Sequence, residues 1–198
     1  MKTSLRRFLA IAAAAVLLSA CSAEGHTIRY HADYPVYQTA DELYQRATLV
    51  VEAHLGDTAR VVQDRPRPVP PGADPRSDPR AGAPQGAAEP PQEPIVTTVH
   101  QARVVKVFKG TAKPGDVIEV KELGGTVDGV TYEEAEGRPL ERNRKYVLFL
   151  ETYPDSPASL LSPEQGKYPV DAAGEPAPLT GNPIRLTRPD LERLATGG

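Results

Sequence analysis

Hydrophobic residues recur at every second position in several segments of the chain, and this spacing is typical of β-strands. In segment 49–55 (LVVEAHL) the residues at odd positions are all aliphatic and share one side, whereas Glu52 and His54 share the other. Segment 95–108 is rich in β-branched residues, and segment 117–123 (VIEVKEL) again alternates. We expect each of these three segments to form a strand.

Further along the chain, the pattern predicts a central strand and several turns. Segment 146–150 (YVLFL) is the most apolar run after residue 20, so we expect it to lie centrally in a sheet, whereas 168–170 (YPV) is suited to a short edge strand. Gly124-Gly125 is expected to break the preceding strand as a bulge or bend. Asp128-Gly129 predicts a two-residue type I′ hairpin turn.

Two short helices are predicted from their N-terminal capping signals. Thr39 is followed three residues later by Glu42, which is the spacing of a capping box. Thr187 begins a second helix near the C-terminus. The residues that support this second helix are Pro189, Asp190, Leu191 and Leu194.

Segment 64–94 differs in composition from the rest of the chain. It contains ten of the 21 prolines, and Val69 is almost its only large apolar residue. Such a sequence buries too little apolar surface to offset the entropy of ordering, so we expect a disordered or polyproline-like segment. The ordered sequence before it is too short for a core of its own, so we interpret 64–94 as a loop insertion in one domain.

These elements predict a mainly β domain over residues 39–195, interrupted by the insertion 64–94. Five or six short strands, with a short helix before the first and another at the C-terminus, favour a single small barrel or sandwich.

The N-terminal 20 residues have the layout of a secretory signal: a basic start followed by an apolar run too short to span a bilayer. Leu18-Ser19-Ala20-Cys21 then resembles a bacterial lipobox. The resemblance implies cleavage before Cys21, a lipid on this residue, and anchorage to the extracytoplasmic face of the cell membrane. An ordinary signal peptide with a chance cysteine is the alternative. We assign 1–20 as signal peptide and 21–38 as a lipidated flexible tether.

Charge limits the partners of the mature chain. Removal of residues 1–20 deletes three positive charges and takes the formal net charge from −3 to −6. An acidic protein is poorly suited to nucleic acid, so we predict no nucleic-acid partner. The membrane, reached through the lipid on Cys21, is the predicted partner.

The succession of strands resembles that of a known family. ATLVVEAHLG, HQARVVKVFKG, the turn KPGD, VIEVKELGG and RNRKYVLFL follow in the order found in netrin-like modules of tissue inhibitors of metalloproteinases and related bacterial domains. The resemblance covers about residues 41–153 and implies an OB-like five-stranded barrel. The family's disulfides and inhibitory N-terminal cysteine are missing here, so protease inhibition through Cys21 is not implied.

No group of residues predicts catalysis. Cys21 is the only cysteine, and no serine lies in a GxSxG elbow; the mature serines occur in the tether, the insertion or a Pro-rich loop. His54 and His100 lie on strands expected to be neighbours, but a zinc site needs a third ligand, so polar side chains on an outer sheet face are the favoured interpretation. The acidic cluster Glu133, Glu134 and Glu136 lacks a calcium-loop motif and is interpreted as a solvated loop. No catalytic residue, cofactor or metal site is predicted.

The leading hypothesis is therefore a membrane-anchored extracytoplasmic lipoprotein that acts as a non-enzymatic binding or assembly module. Insertion 64–94 would dock an envelope protein. The alternatives are an inhibitor of secreted hydrolases, a cryptic metal-binding protein or hydrolase that uses His54 and His100, and a purely structural envelope protein.

Overall fold

The computed structural model of the chain describes residues 26–64 and 94–197. The described residues form a mainly β structure with eight strands and two helices. In chain order these are β1 (His26–Tyr30), α1 (Ala40–Arg46), β2 (Leu49–Asp64), β3 (Ile95–Lys109), β4 (Val117–Val127), β5 (Val130–Glu134), β6 (Lys145–Tyr153), β7 (Ser156–Leu160), β8 (Lys167–Pro169) and α2 (Arg188–Thr196). The predicted mainly β class is confirmed.

The strands form one sheet in the order β1-β5-β4-β3-β2-β6-β7, with β8 paired to β6. Neighbours are antiparallel except for β1 with β5. A second parallel pairing, of β4 with β7, connects β4, β3, β2, β6 and β7 in a hydrogen-bonded circuit. Five strands of the sheet thus have a neighbour on both sides within this circuit.

Alternation along the strands produces two hydrophobic cores. The inner core lies within the strand circuit and includes Leu55, Val104, Val120 and Leu148. The outer core lies between the other face of β2, β3 and β6 and the two helices, and it includes Phe149 and the residues Val50, Leu43, Tyr168, Leu191 and Leu194. Because β6 is buried on both faces, its apolar run is continuous, as expected of a central strand.

Both helices begin where their capping signals predict. The Thr39 hydroxyl accepts from the backbone N–H of Glu42 at 3.2 Å, and the Glu42 carboxylate accepts from the N–H of Gln38 at 2.7 Å. At α2, Thr187 and Asp190 form a reciprocal capping box. The caps satisfy N–H groups that have no partner within the helix.

The Asp128-Gly129 turn is also confirmed. Its two residues have φ values of 51° and 79°, which a type I′ turn requires, and they join β4 to β5. Strand β4 does not end at Gly124-Gly125, as predicted, but continues to Val127 with both glycines at positive φ. At this glycine pair the strand changes partner instead: Leu123 is the last residue paired with β3, and Gly124 is the first paired with β5.

The sheet is larger than the five or six short strands predicted. Residues 59–64 of β2 pair with residues 95–100 of β3 and extend the hairpin beyond Leu55. Polar residues on both sides of this extension hide the alternation that identifies a strand. Strand β7 contains Ser156 and Ser159, which the sequence predicts to lie in a Pro-rich loop.

Strand β1 lies inside the segment predicted as a flexible tether. It pairs in parallel with β5, from His26 opposite Val130 to Tyr30 opposite Glu134. The Tyr30 hydroxyl donates to the carbonyl of Pro94 at 2.6 Å, and its ring stacks on that of Tyr132. A mostly exposed five-residue strand has little hydrophobic pattern, so its order comes from backbone pairing and these Tyr30 contacts.

Insertion 64–94 lies outside the described residues except for its ends, Asp64 and Pro94. Cys21 also lies outside them. Within the described part of the chain, neither helix has the length and apolar character needed to cross a membrane.

The change of pairing partner along β4, from β3 to β5 at Gly124, provides a test of the fold. A Cβ added at Gly124 would lie 2.7 Å from the backbone oxygen of Tyr132, whereas one at Gly129 would meet nothing within 4 Å. Gly129, at φ 79°, is near the left-handed region that other residues adopt in turns, whereas Gly124 has φ 104° within a strand, so backbone strain adds to the steric clash at Gly124. We expect Gly124→Ala to reduce the free energy of unfolding by about 2 kcal/mol more than the control Gly129→Ala, as overpacking typically does. Denaturant unfolding measures this difference. Equal losses of unfolding free energy in the two variants would contradict the close approach of Gly124 to the Tyr132 backbone.

Candidate binding site

A cleft of about 900 Å³ lies between the β4–β5 hairpin and the strand circuit. Its walls include the ends of β2 and β3 next to the insertion, the middle of β4, strand β5 and segment 137–142. Seven titratable side chains of its lining are at least partly buried: Tyr34, His100, Lys121, Glu122, Tyr132, Glu134 and Lys167. We call four of them, His100, Glu122, Glu134 and Lys167, the polar floor.

Strand alternation explains how two of these residues point inward. His100 precedes Ala102 and Val104 on the inner side of β3, and these two residues belong to the inner core. Glu122 follows Val120 on the inner side of β4. The polar floor is therefore a continuation of the inner core at the end of the circuit where the cleft opens.

The Glu122 carboxylate is the centre of the polar floor. Its Oε1 atom lies 2.9 Å from Nε2 of His100, and its Oε2 atom accepts from Nζ of Lys167 at 3.3 Å. The backbone N–H of Leu140 donates to both oxygens at 2.9 and 3.0 Å. This one side chain joins β3, β4, β8 and segment 137–142.

Burial and pairing shift the pKa values of this pair. Burial acts to raise the pKa of Glu122, but the His100 hydrogen bond and the Lys167 charge outweigh it, so that the pKa is lowered. Loss of water lowers the pKa of the Lys167 ammonium, and Glu122 opposes this shift only in part. Glu122 is therefore an acceptor-only carboxylate at neutral pH.

The charge on Glu122 determines the arrangement of protons on His100. Because a carboxylate can only accept, Nε2 of the ring must carry the proton in their hydrogen bond. In the neutral tautomer, Nδ1 then presents a lone pair. His100 is 4% exposed, and its buried Nδ1 atom has no protein partner among the described residues.

Glu134 provides a second acceptor in the cleft. Its Oε2 atom accepts from the Tyr34 hydroxyl at 3.1 Å, while the buried Oε1 atom has no protein partner in the described ranges. Burial of Tyr34, followed by the nearby Glu134 charge, raises the pKa of this phenol. Tyr34 therefore remains a hydrogen-bond donor at neutral pH.

The histidine pair considered from sequence does not meet. The pairing places His54 opposite Arg103, but His100 opposite Ala59, several residues further along the hairpin. The expectation of an outer face is wrong for His100, which is buried in contact with Glu122. Among the described residues, no group of three or more His, Cys, Asp or Glu side chains is placed to hold a metal ion.

The acidic cluster is not the solvated loop that was predicted. Glu133 and Glu134 belong to β5, and only Glu136 lies beyond the strand. Alternation gives the first two opposite orientations, so that Glu134 is the more buried of the pair.

Sequence reasoning did not select Glu122 or Lys167. For Glu122 the signal was present, because it occupies an inward position of the alternating segment 117–123. A polar residue at such a position indicates a buried site. Lys167, which is 2% exposed, had no comparable signal, since its three-residue strand is too short to show a pattern.

The serine residues do not assemble with a histidine in the described part of the chain. Ser156 and Ser159 lie on β7, and the Ser156 hydroxyl accepts from Lys121 at 3.0 Å. Ser162 is buried, and its hydroxyl accepts from the N–H of Gln165 at 3.3 Å.

Comparison of the sequence with models of protein families finds no match, and comparison with curated proteins finds no significant similarity. The geometry of the cleft is therefore the basis for assigning a function.

The Glu122–Lys167 pair can be tested with a double-mutant cycle. Lys167→Met leaves a buried carboxylate with one neighbour fewer, and we expect a loss of about 3 kcal/mol in unfolding free energy. With Glu122→Gln also present, the second substitution should cost much less, giving a coupling energy of about 1–3 kcal/mol. The exposed pair Arg60–Glu119 is the matched control, with an expected coupling below about 1 kcal/mol. Strictly additive losses of unfolding free energy at Glu122 and Lys167 would show that the two side chains do not stabilise each other.

Proposed function

We propose that the protein is a membrane-anchored extracytoplasmic lipoprotein that acts as a non-enzymatic binding or assembly module. The observation that carries this proposal is the cleft with its polar floor. Its volume of about 900 Å³ suits a small-molecule ligand or a short segment of a larger one. The lipobox-like sequence 18–21 supports the anchor.

The chemistry of the cleft favours binding over catalysis. The two oxygens of Glu122 are already engaged with His100, Lys167 and Leu140, which holds the carboxylate in place as a structural group. The acceptor atoms without protein partners, by contrast, are His100 Nδ1 and Glu134 Oε1. Fixed acceptors on the wall of a concave site provide orientation and specificity for a ligand.

The domain that carries the cleft is proposed to be an OB-like barrel. Support comes from the order of pairing β2-β3-β4-β7-β6-β2 and from the single parallel contact in it, between β4 and β7. Strands β1, β5 and β8 would be additions to this barrel. Barrels of this type bind ligands at one face and its adjoining loops.

The Pro-rich insertion is proposed as the docking arm for an envelope protein. Its composition supports an extended, solvent-accessible chain. Asp64 and Ile95, at or next to its two ends, line the cleft. A partner bound through the insertion would therefore be near the ligand site.

The proposed anchor depends on a single residue. We expect Cys21→Ala to move the protein from the membrane fraction to the soluble extracytoplasmic fraction, because the thiol that carries the lipid is removed. Ser22→Ala is the matched control and should remain in the membrane fraction with a lipid-sized mass increase on its N-terminal peptide. Fractionation and mass spectrometry measure both; an unmodified Cys21, or membrane retention of a Cys21→Ala variant whose residues 1–20 have been removed, would overturn the anchor.

The proposed binding site can be tested by site-directed photo-crosslinking in intact cells. A photoreactive residue is placed either at Arg138, exposed on the cleft wall, or at Lys113, exposed in the turn between β3 and β4 outside the cleft. We expect a specific adduct from position 138 and none from position 113. Similar adducts from both positions, or no adduct from 138 in lipidated protein, would argue against a binding role for the cleft.

A further inference from the structure

The polar floor carries an inference about the class of ligand, which rests on the proposed binding function. Three groups have hydrogen-bonding capacity beyond their protein contacts: His100 Nδ1, Glu134 Oε1 and Lys167 Nζ. Glu134 Oε1 is an acceptor, His100 Nδ1 is an acceptor in the neutral tautomer, and the ammonium has three donors of which Glu122 takes one. A matching ligand must supply donors and an acceptor within one small volume.

The charges of the floor disfavour strongly charged ligands. Lys167 is positive, while Glu122 and Glu134 are negative, and the Glu134 charge acts on Lys167 as well as on Tyr34. The rest of the cleft lining adds the cations Arg60, Lys121, Arg138 and Arg142 and the anions Asp64 and Glu133, so both signs of charge surround the floor. An anion meets two carboxylates there, and a cation meets a buried ammonium. Each would gain one attraction and face an opposing repulsion at low dielectric.

A hydroxyl group satisfies both kinds of partner, because it donates one hydrogen bond and accepts others. We propose that the cleft binds a neutral saccharide, whose hydroxyls donate to Glu134 Oε1 and His100 Nδ1 and accept from Lys167 Nζ. These bonds would satisfy two buried acceptors that have no partner among the described residues.

The wall above the floor supports this choice. Tyr132 and Glu134 share one face of β5 and line the cleft together with Thr131 and Glu133, and Tyr34 lines it next to Glu134. The Tyr132 ring is 9% exposed, and one of its faces is held by stacking on Tyr30, with ring centroids 5.6 Å apart. Aromatic faces carry partial negative charge and pack well against the weakly positive C–H groups of a sugar ring.

The test uses the full lipidated protein in a detergent without a sugar headgroup. The neutral probes are maltotriose, cellotriose, mannotriose and the N-acetylglucosamine trimer; trigalacturonate and the glucosamine trimer are the anionic and cationic comparators. We expect at least one neutral probe to bind by calorimetry and to shift the imidazole ¹⁵N resonance of His100, with both charged trimers at least about tenfold weaker. One hydrogen bond to a charged group accounts for about that factor.

Variants then locate the site. Glu134→Gln should weaken the neutral probe about tenfold or more, since it exchanges a carboxylate for an amide, while Glu136→Gln, exposed and outside the cleft lining, should change affinity less than twofold. Tyr34→Phe, which removes only the hydroxyl bonded to Glu134, provides a milder second variant that retains the ring. Its expected effect is a smaller loss in the same direction.

Three outcomes would overturn the inference. If a charged trimer binds more tightly than every neutral trimer and shifts the His100 resonance, the proposal of a neutral saccharide is refuted, but the proposed binding function stays in place. Absence of binding by every trimer refutes the saccharide class, and the Arg138 crosslink then decides the binding function separately. Equal affinities of Glu134→Gln and Glu136→Gln for a neutral probe refute the location.

Discussion

The cleft depends on one buried carboxylate. Glu122 lies where the described residues show no backbone ladder between β4 and β8, and its side chain bonds to both neighbouring strands and to segment 137–142. A carboxylate with three donors is favourable at this position, because each donor offsets part of the cost of removing the charge from water. The seam between β4 and β8 is therefore joined by charged side chains, and the cleft that opens there has a polar floor.

The same sheet separates this polar region from the outer core. On β6, Tyr146 and Leu148 face the inner core, whereas Val147 and Phe149 face the outer core beneath the helices. Strand β6 is thereby fixed on both faces and also pairs with β8, which carries Lys167. Close packing on two sides limits the movement of Lys167 and so preserves the geometry around Glu122.

Local signals predicted the parts of the fold that depend on local interactions. Thr39 and Thr187 cap helices within their own segments, and Asp128-Gly129 determines its own turn. Strand β1 and the contact of Glu122 with Lys167 depend on partners 45 or more residues away, which no short pattern encodes. For the site, the sequence drew attention to His100 and Glu134 and placed Glu122 on the inward side of its strand, but the contacts among these residues required the structure.

The two partly buried carboxylates Glu122 and Glu134 differ in what they leave available to a ligand. Both Glu122 oxygens have protein donors, so any group that bound to them would compete with His100, Lys167 and Leu140. Glu134 has one oxygen engaged by Tyr34 and one without a protein partner. Since a buried acceptor without a partner costs about 1–3 kcal/mol, a ligand hydroxyl at Glu134 Oε1 is favoured over a hydrophobic group of the same shape. Recognition at Glu134 is thus separated from the structural role of Glu122, and the cleft can exchange ligands without loss of the seam.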